Sequence, residues 1–144
     1  MAISYIAWIT ARPLILPGNK ISRTQVRSAI IADGCIITDA ILERAVIGIR
    51  SVIAGGSTIR NSVLMGADFY QDEDPQPEPD LPPLGVGQHC VIEEAIIDKN
   101  VRIGDGVVVT PEGKPRNVDG DNYYIRDGVV VIPRGAIIPA GTFI

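Results

Sequence analysis

The residues of this chain that could do chemistry are few: one histidine, two cysteines and a run of carboxylates. His89 could act as a general base if it stood in a substrate cleft. Cys35 and Cys90 do not make a zinc site by themselves, and their spacing matches no secreted disulfide framework. They occupy equivalent places in D-G-C-I-I and Q-H-C-V-I, and so read as small buried side chains. Residues 66–85 gather Asp68, Asp72, Glu73, Asp74, Glu78 and Asp80 among Pro75, Pro77, Pro79, Pro82 and Pro83. Clustered carboxylates can hold a metal or work as an acid–base pair. Here proline denies the backbone a ladder, and no Lys or Arg occurs between Arg60 and Lys99. The better reading is solvated charge on an extruded, polyproline-like loop.

The element that must position these residues is neither a helix nor a hairpin. Val86, Ile92, Ile97, Ile103 and Val109 recur at spacings of six, five, six and six. A helix repeats its apolar face every three or four residues, and a half-buried strand every two. A period of five to six fits a chain that turns a corner after each short straight segment, with one aliphatic side chain pointing inward from each. That is the hexapeptide signature of a parallel β-helix.

The same period runs earlier through Ile21, Val26, Ile31, Ile37, Leu42, Ile47, Ile53, Ile59 and Leu64. It resumes at Ile125, continues through Val131 or Ile132 and Ile138, and reaches Ile144. Glycines such as Gly34, Gly48, Gly87, Gly104 and Gly106 fall at the corners.

The predicted organisation is an extended lead-in over residues 1–20 and an all-β, three-sided coil over 21–144. Loops are inserted at 66–85 and 110–124. Trp8, beside Tyr5 and Ile9 in the lead-in, reads as a cover for a core end. At about 18 residues per coil, the repeat blocks make about five coils, a prism ~24 Å tall at the spacing of neighbouring strands. Prisms of this repeat class turn left-handed, against the usual crossover rule.

Composition narrows the function. Hydrophobic residues are 46% but aromatics only 5%, so the core is aliphatic. A net charge of −4 without a basic run argues against nucleic acid as a partner. No stretch approaches a membrane span, and the start lacks the basic residue that opens a signal peptide, which favours the cytoplasm. Flat aliphatic faces and open end coils predict a homo-oligomer.

A-I-I-D-K-N-V-R-I-G-D-G-V-V-V carries a resemblance, together with V-L-M-G-A-D-F-Y before it and Y-Y-I-R-D-G-V-V-V-I-P-R-G-A-I-I-P-A-G after it. From about residue 9 onward the chain resembles the C-terminal β-helix domain of ADP-glucose pyrophosphorylase, or glucose-1-phosphate adenylyltransferase, in its cyanobacterial and plant branch. The resemblance implies a tetrameric enzyme that joins ATP and glucose 1-phosphate into ADP-glucose and pyrophosphate for glycogen or starch synthesis. A plant-type source would imply a plastid, although no transit peptide is seen. ATP and Mg²⁺ belong to a preceding catalytic domain. This chain has neither that domain's glycine-rich loop nor its strand–loop–helix context, so no catalytic residue, cofactor or metal is expected in it.

What the resemblance implies for the β-helix is assembly and the binding of an anionic activator, a sugar phosphate or phosphoglycerate. The family's first activator lysine carries over as Lys99. Its second position holds Arg134, with Arg126 nearby and Arg102 as a further cation. Arginine keeps the charge but grips phosphate through a fork where lysine acts as a point charge. The alternative from another class is a hexapeptide-repeat acyltransferase, which would need His89 as general base and a coenzyme A groove. A β-helix carbonic anhydrase needs three zinc-binding histidines, and one histidine excludes it.

Overall fold

The computed structural model describes residues 16–73 and 78–144. Tyr5, Trp8 and Ile9 of the lead-in lie outside the described residues, as do Asp74, Pro75 and Pro77. The described chain is strand and turn apart from one 3-10 turn, Gln71–Glu73.

The first face stacks six parallel strands: Lys20–Ser22, Ile36–Thr38, Val52–Ile53, Gly85–Val86, Arg102–Ile103 and Ile137–Ile138. The other two faces share bent strands. Gln25–Ile31, Ile41–Ile47 and Thr58–Leu64 pair in parallel, and each turns a corner at a residue in the left-handed region. Those residues are Ser28 (φ 57°), Arg44 (φ 46°) and Asn61 (φ 48°); Glu94 (φ 48°) makes the same corner between Val91–Glu93 and Ala95–Ile97. Residues before the corner form the second face and residues after it the third. A side chain with a Cβ pays about 1–2 kcal/mol for this conformation, so the stacked ladder on both sides must hold it.

Alternation of Cβ direction then sorts every residue. Ile37, Ile53, Val86, Ile103 and Ile138 form one inward column, Leu42, Ile59, Ile92 and Val109 a second, and Ile47, Leu64, Ile97 and Ile132 a third. All are buried. Next to the bend the inward position is small, with Ala45, Ser62 and Ala95 in line, because two faces converge there. Ser62 is satisfied in place: its hydroxyl donates to Arg60 O (2.7 Å) and accepts from Ala95 N (3.1 Å).

Three sequence expectations are corrected and one left open is settled. The coil takes 16 or 17 residues, not 18, since Ile37 stands beside Ile53 and Leu42 beside Ile59; corners of five residues shorten the turn. Ile132 points inward and Val131 outward. Ile21 and Val26 point inward but are 43% and 50% exposed, because their coil has a neighbour on one side only among the described residues. Ile125 is buried, but in an antiparallel hairpin with Val129–Ile132, so the parallel coil resumes at Val129.

The cysteines are free and buried, and their thiols donate to corner carbonyls, Cys35 to Gly48 O and Cys90 to Gly104 O, both at 3.2 Å. Burial pushes both thiols up from their ordinary value, which keeps them neutral donors.

Candidate functional site

Three successive corners meet where the third face turns into the first. They are 65–67, 98–100 and 133–135, one above another: Asn100 N donates to Gly66 O (3.1 Å) and Gly135 N to Lys99 O (3.0 Å). The approach is close enough that a Cβ on Gly66 (φ +90°) would lie 2.1 Å from Ile49 O. Stacking therefore brings together residues far apart in sequence, Lys99 from one coil and Arg134 from the next.

Their charges converge on Asp68, the second residue beyond Gly66. Lys99 Nζ lies 3.0 Å from Asp68 Oδ1, Arg134 Nη2 donates to Asp68 Oδ2, and Asn100 Nδ2 donates to the same oxygen at 3.0 Å. Asn100 Oδ1 in turn accepts from Asp68 N (2.8 Å). Hydrogen bonds from Lys99 and Asn100, reinforced by the charges of Lys99 and Arg134, hold the Asp68 carboxyl below the usual range. The cluster is open to solvent, with side-chain exposures of 32% for Lys99, 36% for Asp68 and 61% for Arg134.

Sequence reasoning picked out Lys99 and Arg134 but missed Asp68 and Asn100. Asp68 reads in the sequence as one more solvated loop charge, yet it stands only two residues beyond the corner glycine Gly66.

The described residues at the two ends of this loop, 66–73 and 78–84, are held against the prism rather than extruded. Tyr70 OH donates to Gly34 O (2.9 Å), Arg50 Nη1 to Ala67 O (3.3 Å), and Leu84 N to Gln71 Oε1 (2.7 Å). Arg102 lies beneath it. Only 9% exposed, Arg102 donates from Nη1 to Gln71 Oε1 and to Pro82 O, both at 3.0 Å. Its described contacts clamp the loop. Arg126 stands at the other end of strand Val129–Ile132 from Arg134, donating to Val118 O (2.9 Å) and Asp119, with Tyr124 beneath its guanidinium at 5.3 Å.

His89 is a corner residue (φ 54°) whose ring covers Gly56, where a Cβ would meet Nδ1 at 2.3 Å. Neither hydrogen bond nor ion pair orients that ring among the described residues. Asp68 is already matched by two cationic side chains, and the described residues hold no group of three metal-capable side chains.

Residues 14–143 match the family model of the GLGC left-handed parallel β-helix domain, which gives the prism the expected hand. The chain is also similar to the chloroplastic/amyloplastic small subunit of glucose-1-phosphate adenylyltransferase from Triticum aestivum. The two are 36% identical over 141 residues, a match covering 94% of this chain and 30% of that relative. The chain thus spans about a third of the curated relative it matches.

Proposed function

Because this chain belongs to the family of GLGC left-handed parallel β-helix domains, we propose that it is the regulatory and assembly domain of a glucose-1-phosphate adenylyltransferase. The complete enzyme would make ADP-glucose and pyrophosphate from ATP and glucose 1-phosphate, for glycogen or starch synthesis. These 144 residues contribute control and assembly, and the transfer itself belongs to a nucleotidyltransferase domain. The proposed compartment is the cytoplasm. The relative's plastid address stays with that protein, and no described helix is long and apolar enough to cross a membrane.

One observation carries the regulatory half: Lys99 and Arg134, brought together only by coil stacking, both spend their charge on the carboxylate of Asp68. A carboxylate held by a lysine and an arginine supports reading this corner as a place that accepts a small anion. The phosphate of a phosphoglycerate or sugar phosphate would take the place of Asp68, with Lys99 as point charge and Arg134 as fork. Arg102, engaged beneath the loop, and Arg126, at the far end of the strand, would act at most by holding the surroundings.

The test is thermal-shift titration with 3-phosphoglycerate and with fructose 1,6-bisphosphate. Protection at about millimolar ligand is expected, weak because Asp68 competes. It should vanish in Lys99→Ala and tighten about fivefold in Asp68→Asn, the equivalent of about 1 kcal/mol of exposed ion pairing. Binding that ignores both substitutions would sink the site.

A further inference from the structure

Each rung of the third face turns one side chain outward, and the register puts these in single file. Ile30 stands beside Val46, Val46 beside Val63, Val63 beside Ile96, Ile96 beside Val131, and Val131 beside Tyr124. Ile30 is 69% exposed and Tyr124 42%, while Val46, Val63 and Ile96 lie between 36% and 40%. Six rungs at ~4.8 Å make a rigid apolar row ~24 Å long. Single exposed apolar side chains need no explanation, whereas a continuous row on a flat face does.

The border of the row says what fits it. Along the bent corner run Ser28, Arg44, Asn61 and Glu94, with Asp127, 3.9 Å from Arg116, at the hairpin tip beyond them. The charges of this border are basic toward one end, at Arg44, and acidic toward the other. A second copy turned end for end, about an axis along the strands, lays the border on itself. Val63 then meets the partner's Ile96, and Val46 the partner's Val131. Asn61 meets the partner's Glu94 and Arg44 the partner's Asp127. A face that is self-complementary in this way suits a two-fold pair, in which every contact occurs twice.

We propose that this row is the contact between two copies of the chain running in opposite directions. The proposal rests on the assembly half of the reading above and names its surface. The row, ~24 Å by ~10 Å, offers far less than the ~800 Å² per partner of a stable dimer. The isolated chain therefore pairs weakly, and the contact gains its hold where other contacts already keep copies together.

Analytical ultracentrifugation from about 10 μM to about 1 mM tests this, with thermal unfolding run in parallel. A reversible monomer–dimer equilibrium is expected. Val63→Glu should weaken it at least about tenfold at unchanged melting temperature. Arg44→Glu and Asp127→Arg should each weaken it severalfold, and the double variant should recover it. Association indifferent to Val63→Glu overturns this face and leaves the assembly reading standing. A chain that stays monomeric throughout loses both. A double variant weaker than either single one overturns the opposed arrangement.

Discussion

The second and third faces are built from the same bent strands, a few residues apart, yet they meet solvent with opposite chemistry. On the second face the outward row next to the corner is Arg27, Glu43, Arg60 and Glu93, alternating in sign rung by rung. Arg60 pairs with Glu43 at 3.3 Å on one side and with Glu93 at 3.2 Å on the other. Past the corner, three residues further on, the outward row is Ile30, Val46, Val63 and Ile96. The backbone ladder and the inward columns are alike, so the contrast is confined to side chains that contribute little to the fold. A charge ladder fixes register and keeps a face in water, whereas an apolar ladder at the same spacing leaves a surface for a partner.

The comparison can be broken or sharpened by substitution. The largest effect is expected beneath both faces: Ile59→Ala, in a fully buried inward column, should cost about 2–5 kcal/mol in denaturant unfolding. A loss under about 1 kcal/mol would mean that the columns do not carry the fold. Arg60→Ala removes both ion pairs of the charge ladder and should cost about 0.5–1 kcal/mol, fading as salt is raised. A salt-independent loss would assign Arg60 a packing role instead.

The Asp68 cluster gives a pH signature. Its carboxyl is lowered in the folded chain, so its stabilisation is fully present above the unfolded aspartate value, near 3.8. It is lost as pH falls from there through the lower folded value. Asp68→Asn should flatten that part of the stability curve, and an unchanged acid limb would show that Asp68 is not held as described. The smallest effect is expected on the apolar row itself. Val63→Glu should change monomer stability by no more than about 0.5 kcal/mol, which separates its role in association from any role in folding.

Much of this was legible in the chain. Inward residues from Ile37 to Ile144 follow a five-to-six period that no helix or hairpin reproduces, so the fold could be read from spacing. Two of the errors sit where the period is broken. Ile125 matched the spacing but lies in a hairpin, because antiparallel pairing also buries alternate residues. Asp68 looked like one more loop charge, because a proline-rich composition says nothing about which residue stays at the corner.

By itself the sequence determined the columns and the corners, both consequences of local period and residue size. Tertiary structure alone decided which side chains the surface brings together. Lys99 meets Arg134 and Asp68, and Val63 meets Ile96, only because one coil lies on the next. The distance along the chain between such neighbours depends on how long each inserted loop happens to be, and local physics does not set it.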